Sequence, residues 1–300
     1  MPTRAIAIGN FDGVHRGHQE VLREAKDAVL TFDPHPAVAL GRVAPSILTA
    51  LPRKIELLER AGVSEVVVQR FDDAFASWSP ERFVADLLVG KMDAKVVVVG
   101  RNFRFGNKRA GDLATLERLG EEHGFVVRPF DLSGDERGPF SSTRVRDAIG
   151  RGDIDDATRV LGRPHAFSGT VAKGDQRGRT IGFPTANVDD VTELVPAAGV
   201  YAVVVDRIDH FTKACGRGVM NVGVRPTVKD AGKRTQEVHL FDFDEDLYGA
   251  KLRVHVVARI REERKFATID ELRAQIATDA QAARAITSKI EPMKTSGAFG

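Results

Sequence analysis

The sequence is poor in several features that define common classes of protein. Its 300 residues contain one cysteine, Cys215, which excludes an intramolecular disulfide and any cysteine-rich zinc or iron–sulfur site. The longest apolar runs, such as Val96–Val99 and Val203–Val205, are no longer than a strand, so we expect no membrane span. The start, Met1–Ile8, has one arginine and a very short apolar stretch, unlike a secretory signal. These absences favour a cytoplasmic protein.

A large excess of charge of one sign is also missing. Lys and Arg number 44 against 42 for Asp and Glu, a surplus of +2 that gives no ground for a nucleic-acid-binding face. Hydrophobic residues make up 42% and charged residues 29%, which is typical of globular proteins and excludes a disordered chain. At about 150 residues per domain, the length predicts two domains, with one large α/β barrel as the main alternative.

The first half of the chain alternates between two periodicities. Short apolar or β-branched runs predict five strands: Ala5–Ile8, Ala28–Phe32, Glu65–Val68, Lys95–Val99 and Phe125–Val127. Helical spacing predicts the intervening and following helices: His18–Lys26, Pro52–Arg60, Pro80–Val89, Asp112–Glu122, Thr143–Ile149 and Ile154–Leu161. The alternation predicts a parallel sheet covered by helices, in which ligands bind beyond the carboxyl ends of the strands.

The second half has a different pattern, and Gly162-Arg163-Pro164 separates the two. Strand-like runs follow one another without helices between them: Phe167–Ala172, Val200–Val205, Gly218–Val222, Glu237–Phe241 and Leu252–Ala258. A helical pattern over Ile269–Ile286 comes last. We therefore predict an α/β domain over residues 1–162 and a small antiparallel β-barrel with a C-terminal helix over residues 163–290. The small and polar residues 291–300 predict a disordered tail.

The stretch Gly9–His18 follows the first strand and opens the first helix. A helix start offers free backbone N–H groups and a positive dipole end, which together form an anion site. Gly13 and Gly17 would let a phosphate approach the backbone, and His15 and His18 can both face it.

Two other interpretations of this stretch remain open. It could be a glycine-rich turn with two surface histidines. It could also be a metal site, because Asp12, His15 and His18 are possible ligands, and Asp33 and His35 at the end of the second strand could extend it.

A second unusual stretch, Gly174–Asn187, lies in the second half. It has three glycines in nine residues, Gly174, Gly178 and Gly182. Arg177 and Arg179 lie among them, which suggests a loop that wraps an anion. Thr185 and Asn187 are oxygen donors two residues apart, so both can point to one Mg²⁺ from an extended segment. The alternative is a flexible hairpin loop with an exposed proline turn.

A resemblance to a known family suggests specific functions for these stretches. His15-x-Gly17-His18 resembles the signature of the HIGH-type nucleotidyltransferases. Together with Thr31–Pro36, the stretch Gly9–His18 resembles the adenylyltransferase half of bifunctional riboflavin kinase/FAD synthetases. Gly100–Gly106 resembles that family's flavin- and nucleotide-contacting loop, and Ser141–Arg146 resembles its phosphate-binding loop. The resemblance implies a Rossmann-like N-terminal domain.

For that domain the resemblance implies the following roles. His15 and His18 would be catalytic. The ATP- and phosphate-binding residues would be Gly9, Phe11, Asp12, Gly17, Asn102, Ser142, Thr143 and Arg146. The flavin-binding residues would be Asp33, His35, Phe103 and Phe105. One departure is that only 12 residues separate His18 from Thr31, close to the minimum of about 10–12 for a strand–helix–strand crossover, so the first helix is expected to be truncated or distorted.

The second half resembles riboflavin kinase. Gly174–Asn187 is similar to that family's signature, including the Pro184-Thr185-Ala186-Asn187 that binds Mg·ATP there. Downstream segments also match: Gly199–Ala202, Asn221–Thr227, Glu237–Phe243 and Arg264–Phe266. The resemblance implies ATP contacts from Gly174, Arg177, Gly178, Arg179, Gly182 and Pro184. It also implies Mg²⁺ ligands in Thr185 and Asn187 and flavin contacts from Arg264 and Phe266.

Glu237 is the expected catalytic base, because phosphorylating riboflavin requires removal of a poorly acidic hydroxyl proton. Strand alternation puts Glu237 on one face with His239 and Phe241, which predicts apolar neighbours, partial burial and a raised pKa. The alternative is a surface glutamate on an edge strand.

The implied function is two successive ATP-dependent reactions. Riboflavin and ATP would give FMN in the C-terminal domain, and FMN and ATP would give FAD and pyrophosphate in the N-terminal domain, with Mg²⁺ accompanying ATP. The expected partners are small molecules only, with no nucleic acid and no membrane, and the chain is expected to be a monomer or a weak homo-oligomer. The alternatives are an adenylyltransferase with an inactive barrel and a flavin-binding regulatory or storage module. Cys215 is expected to have no role.

Overall fold

The computed structural model describes residues 4–173, 182–209, 212–224 and 234–290. It divides into two compact units, Met1–Ser142 and Thr143–Gly300. The predicted tail, 291–300, and most of the predicted glycine-rich loop, 174–181, lie outside the described residues.

The first unit is built on a five-stranded, fully parallel sheet of order β3-β2-β1-β4-β5. Its strands are β1 (Ala5–Ile8), β2 (Ala28–Asp33), β3 (Glu65–Arg70), β4 (Val96–Gly100) and β5 (Val126–Phe130). The central strands are buried on both faces, which is why they consist of near-continuous apolar residues. The predicted parallel sheet and all five predicted strands are confirmed.

Helices cover both faces of this sheet. They are α1 (Arg16–Glu24), α2 (Pro36–Ala39), α3 (Leu51–Arg60), α4 (Asp73–Ala76), α5 (Pro80–Arg82), a π-helix (Phe83–Lys91), a 3₁₀ turn (Asn107–Arg109) and α6 (Leu113–His123). A small hairpin of β6 (Gly134–Asp135) and β7 (Gly138–Pro139) follows β5. The helix predicted over Pro80–Val89 begins at Pro80, with the Ser79 side chain as its cap, but most of it is π-helical.

The core of this unit has two layers because alternate residues of each strand face opposite sides. Ile6, Leu30 and Val97 point into one layer, where they pack against helical residues such as Phe83 and Leu116. Neighbouring strand residues point into the other layer, with Leu22 of α1 and Leu58 of α3: Ala7, Val29 and Val98.

The short crossover between β1 and β2 is accommodated by a truncated helix. The nine residues of α1 end at Glu24, and β2 begins at Ala28. The two strands still pair in parallel, with Ile6 opposite Ala28 and Ile8 opposite Leu30. The end of β2 therefore lies at the same edge of the sheet as the end of β1.

The second unit is a closed six-stranded antiparallel barrel of order β10-β11-β12-β9-β8-β13. Its strands are β8 (His165–Ala172), β9 (Ala186–Asp189), β10 (Gly199–Arg207), β11 (Lys213–Val224), β12 (Arg234–Leu240) and β13 (Lys251–Arg261). Its helices are α7 (Ser142–Arg151), α8 (Ile154–Leu161) and α9 (Ile269–Thr287). The predicted barrel and C-terminal helix are confirmed. β9 is not among the predicted strands, because its four residues are too few to show the alternation of a strand.

The division between the units falls at the start of α7, whereas the sequence pattern places a domain boundary after Gly162. The difference has a packing cause. Ile154 of α8 is buried in the barrel core beside residues such as Phe167 and Val203, and the N–H of Ala197 donates to the Ile149 carbonyl.

Candidate active sites

The turn between β1 and α1 has an unusual backbone. Phe11 and Val14 have φ values of 50° and 39°, and Gly13 has a φ of 87°. A left-handed conformation is uncommon for an ordinary residue and exceptional for a β-branched one, with a cost of about 1–3 kcal/mol each. Such strain persists only where the surrounding structure imposes it, and it is found most often at functional sites.

The turn brings the two predicted catalytic histidines together. The His15 side chain caps α1, and its Nδ1 accepts a hydrogen bond of 3.3 Å from the His18 N–H. The two rings stack with centroids 3.6 Å apart, and the Phe11 ring meets His18 edge-on at 5.0 Å. Because Nδ1 of His15 is an acceptor, the neutral ring carries its proton on Nε2, where it can be donated to an anion.

Gly17 allows a second segment to reach this turn. A Cβ at Gly17 would lie 3.0 Å from the Phe140 carbonyl oxygen and 3.3 Å from His15 Nδ1, so a side chain has little room. Ser142, which follows closely, donates from its hydroxyl to the Asp12 carbonyl at 2.8 Å. The predicted phosphate-binding residue Ser142 thus touches the histidine turn, and Thr143 and Arg146 lie further along α7 in the second unit.

Asp12 has a structural task in addition to its expected contact with ATP. Its carboxylate accepts hydrogen bonds from the N–H groups of Leu48 at 3.1 Å and Thr49 at 3.0 Å, which tie the segment before α3 to the turn. Among the described residues, no group of three or more His, Cys, Asp or Glu side chains could hold a metal ion. The alternative of a metal site built on Asp12, His15 and His18 is therefore not supported.

The predicted flavin-binding residues Asp33 and His35 line a cleft of about 460 Å³ beside the turn. His35 caps α2, since its Nδ1 accepts from the Ala37 N–H at 3.1 Å, and its Nε2 lies 3.2 Å from Asn10 Nδ2. Lys54 of α3 also lines the cleft. Sequence reasoning missed Lys54 because a lysine inside a helical pattern has no signal that distinguishes it from a solvated charge.

The loop after β4 holds the remaining predicted residues of this unit. Asn102 is exposed at the carboxyl end of the strand. The rings of Phe103 and Phe105 stack with centroids 5.5 Å apart, and Phe105 is buried in the core beside Phe83. Of the two rings expected to contact flavin, that of Phe105 is buried and that of Phe103 is partly buried against the same core.

In the second unit, three neighbouring strands form a polar row on the outer face of the barrel. Glu237 of β12 pairs directly with Asn187 of β9 on one side and with Asn221 of β11 on the other. Directly paired residues of antiparallel strands place their side chains on the same face, about 4.5–5.5 Å apart at Cβ. The predicted base and one predicted Mg²⁺ ligand are therefore neighbours.

The row corrects one expectation about Glu237. Its cross-strand neighbours are two asparagines rather than apolar residues. The alternation of residues along β12 could not predict them, because they belong to other strands. His239 shares the Glu237 face as expected, and its Nδ1 lies 2.8 Å from the Pro184 carbonyl oxygen. Phe241 lies just beyond the strand, and its ring contacts that of His239 with centroids 5.8 Å apart.

The other described residues of the predicted kinase site lie in the segment that leads into β9. Thr185, immediately before β9, lines a cleft of about 540 Å³ together with Pro184. Gly182 is exposed with a φ of 85°. The remaining predicted residues of the loop lie outside the described ranges: Gly174, Arg177, Gly178 and Arg179.

Arg264 and Phe266 lie in the connection between β13 and α9. The Arg264 guanidinium lies 4.8 Å from the Phe266 ring centroid, and both residues line a surface cleft of about 720 Å³. This connection approaches the polar row, because a Cβ at Gly223 would lie 3.0 Å from Glu263 Oε1 and 3.3 Å from Asn221 Nδ2. Asn221, to which the sequence pattern assigned no role, therefore lies beside both Glu237 and this connection.

Cys215 lies partly buried in β11, and the expectation that it has no role stays a prediction. Burial raises the pKa of its thiol to about 11, so almost none of the reactive thiolate is present at neutral pH. The thiol is the only free cysteine of the chain.

Two candidate phosphate-binding sites on two different folds indicate the class of this protein. A parallel sheet with paired histidines at the carboxyl end of its central strand suits nucleotidyl transfer. A barrel that carries a glutamate between two asparagines suits the activation of a hydroxyl group for phosphoryl transfer. The chain is thus a two-domain transferase that uses nucleotides.

Comparison with known proteins identifies the family. Two family models match the chain, FAD synthetase over residues 2–144 and riboflavin kinase over residues 161–287. The bifunctional riboflavin kinase/FMN adenylyltransferase of Escherichia coli (strain K12) is 41% identical over 298 residues, which cover 96% of this chain and 94% of that protein. The protein of the same description from Haemophilus influenzae is 40% identical over 294 residues, covering 94% and 93%. The chain belongs to the bifunctional riboflavin kinase/FMN adenylyltransferase family.

A solved structure supports the same fold over the whole length. It is described as a macrolide-efflux protein from Streptococcus pneumoniae, and it matches with a TM-score of 0.82 at 32% identity over 95% of each chain. In the ranges that our structure describes, every helix is too short or too polar to cross a membrane. The resemblance drawn from the motifs is confirmed, with the FAD synthetase domain first and the riboflavin kinase domain second.

Proposed function

We propose that Glu237 is the general base of riboflavin phosphorylation. The terminal ribityl hydroxyl gives its proton to the Glu237 carboxylate, the hydroxyl oxygen attacks the γ-phosphorus of ATP, and ADP leaves. The observation that carries this proposal is the position of Glu237 between Asn187 and Asn221 in one cross-strand row. The carboxylate is partly buried there and flanked by amides that can orient a hydroxyl group.

Thr185 and Asn187 are proposed to hold the Mg²⁺ that accompanies ATP in the kinase domain. Their hydroxyl and amide oxygens are donors of the kind that Mg²⁺ accepts, and Asn187 is the direct neighbour of Glu237. The ion would neutralise charge on the phosphates. Removing divalent cations with EDTA is expected to stop formation of both FMN and FAD, and added Mg²⁺ is expected to restore both.

In the N-terminal domain, His15 and His18 are proposed to stabilise charge on the α-phosphate of ATP. A phosphate oxygen of FMN attacks that phosphorus, and pyrophosphate leaves, so no covalent protein nucleophile is needed. The stacked rings at the start of α1 carry this proposal, because ring N–H donors and helix N–H groups converge there.

The remaining proposed contacts follow the family resemblance. ATP and its outer phosphates are assigned to Gly9, Phe11, Asp12, Gly17, Asn102, Ser142, Thr143 and Arg146. The flavin of the adenylyltransferase is assigned to Asp33, His35, Phe103 and Phe105. In the kinase domain, ATP is assigned to Gly174, Arg177, Gly178, Arg179, Gly182 and Pro184, and flavin to Arg264 and Phe266.

A product assay that resolves FMN from FAD tests these assignments. Glu237→Gln is expected to reduce FMN formation from riboflavin by about 10²–10⁴-fold while FAD formation from supplied FMN continues. His18→Ala is expected to reduce FAD formation by about 10²–10³-fold while FMN formation continues. Glu121→Gln, on the exposed face of α6, is the matched control and should change neither rate.

Two outcomes would overturn the assignments. Wild-type kinase turnover in Glu237→Gln would exclude Glu237 as the base. Loss of FMN formation in His18→Ala would show that the two reactions do not use separate sites.

We also propose that the chain is a cytoplasmic monomer or weak homo-oligomer that binds only small molecules, with domains over residues 1–162 and 163–290. Sedimentation at several protein concentrations tests the oligomeric state. Expression of residues 163–290 and of residues 143–290 tests the boundary. A stable barrel from 163–290 alone would support it, whereas a barrel that folds only with residues 143–162, whose Ile154 lies in its core, would move the boundary to the start of α7.

A further inference from the structure

Lys54 is a buried cation that belongs to none of the sequence motifs. It lies on α3, its side chain is 7% exposed, and it lines the same cleft as Asp33 and His35. Burial lowers its pKa, and the carboxylates of Asp12 and Asp33 oppose that effect. A lysine in such surroundings is rare unless its charge or its hydrogen bonds are used.

The ammonium group joins the ends of two strands. Lys54 Nζ donates to the Asn10 carbonyl at 3.2 Å and to the Phe32 carbonyl at 3.4 Å. Asn10 begins the histidine turn after β1, and Phe32 is the next-to-last residue of β2. The Thr31 hydroxyl also donates to the Asn10 carbonyl at 3.1 Å, so this carbonyl oxygen accepts hydrogen bonds from two side chains.

A second connection joins the histidine turn to the residues just before α3, and the turn again supplies the hydrogen-bond acceptor. The Asp12 carboxylate of the turn accepts from the N–H groups of Leu48 and Thr49, just before α3 begins at Leu51. The turn is therefore tied twice to the N-terminal part of α3, once through the Asp12 carboxylate and once through the Lys54 ammonium. The Lys54 connection reaches β2 as well.

We propose that Lys54 is a positioning residue for FMN adenylylation, which holds the histidine turn at a set distance from the flavin-binding end of β2. This inference rests on the proposed roles of His15, His18, Asp33 and His35. Adenylylation requires the phosphate of FMN to meet the α-phosphorus of ATP in line, and these two groups are held by the two segments that Lys54 joins. A misplacement of about 1 Å at this point can reduce a rate by about 100-fold.

The test uses the full-length chain with Lys54→Met, which keeps most of the length of the side chain and removes its charge and donors. We expect kcat for FAD formation to fall by about 10- to 100-fold, with KM for FMN and ATP changed by less than about threefold. Lys26→Met on the surface is the matched control. FMN formation from riboflavin, measured on the same samples, shows whether the rest of the chain is intact.

Lys54→Arg and a pH profile separate positioning from simple stabilisation. In wild type, FAD formation should decline with rising pH below the ordinary lysine range, because the ammonium loses its proton early and its two donated bonds weaken. The charged groups that face it are Asp12, Asp33 and, when protonated, His35. Lys54→Arg should recover part of the rate and lose this decline, because arginine stays protonated.

Three results would overturn the proposal. The first is a wild-type kcat in Lys54→Met, even if Trp78 fluorescence shows a less stable first unit. The second is a rise in KM for FMN alone, which would make Lys54 a binding residue. The third is an unchanged alkaline decline in Lys54→Arg. If wild type itself formed FMN but no FAD, or if His18→Ala kept its FAD rate, the proposed function of the first domain would be at fault instead.

Discussion

The stability of the barrel should depend on pH through one buried histidine. His165, in the first barrel strand, is 2% exposed, and its Nε2 lies 2.7 Å from the Leu194 carbonyl oxygen, to which it donates when neutral. Burial lowers its pKa from 6.5 to about 4, with smaller contributions in the same direction from Arg163 and His255, and the bond to Leu194 opposes the shift. The folded barrel therefore holds a neutral ring at neutral pH.

The sign and size of the effect follow from proton linkage. Between pH 6.5 and about 4 the unfolded chain binds a proton at His165 that the folded barrel rejects. The free energy of unfolding is thus greatest above pH 6.5 and declines as the pH falls towards about 4. At 1.36 kcal/mol per unit, the full loss is about 3 kcal/mol, of which about 2 kcal/mol is reached at about pH 5.

Urea unfolding of wild type and His165→Gln at several pH values would measure this contribution. The glutamine cannot titrate but retains N–H donors for the Leu194 carbonyl. Both tyrosines of the chain, Tyr201 and Tyr248, lie in the second unit, so their second-derivative absorbance reports the barrel alone. We expect the stability advantage of wild type over His165→Gln to shrink by about 2 kcal/mol between about pH 7 and about pH 5.

Titrating groups that do not interact with His165 are present in both proteins and cancel in the difference. Parallel stability curves for the two proteins over this range would show that His165 is not held neutral, and the reasoning from its burial would be wrong.

Three further predictions concern single contacts. Gly17→Ala should reduce FAD formation at least about tenfold and leave FMN formation unchanged, because its Cβ would press on the Phe140 carbonyl at 3.0 Å; an unchanged FAD rate would contradict this. Arg144→Met should destabilise the second unit by about 3–5 kcal/mol in thermal unfolding, because the buried Asp156 carboxylate loses its two-bond partner. Asp156→Asn in the same background should recover part of the loss, and no recovery would exclude the charge as its cause. Cys215 should react with iodoacetamide about a hundredfold more slowly than an ordinary thiol at pH 8, since its pKa is about 11; mass spectrometry that finds equal rates would refute the burial argument.

The two folds were largely predictable because their periodicities are local. The near-continuous valines in β4 and β10 indicate strands that are buried on both faces. Helical patterns between the strands occur only in the first half of the chain, and they predict a parallel sheet there. The histidine turn was also predictable, because its glycines and histidines lie within ten residues that directly follow a strand. The short β9 and the π-helical form of Phe83–Lys91 were missed, because neither leaves a distinctive local pattern.

Sequence alone therefore established the order of the domains and the class of each fold, and it singled out the motifs proposed to bind phosphate. All of these depend on residues close together in the chain. The tertiary structure decided which distant residues meet. It placed Asn187 and Asn221 beside Glu237 through strand pairing. It also buried Lys54 between the ends of two strands. Such neighbours are set by register and packing between elements far apart in the chain, and no local pattern encodes them.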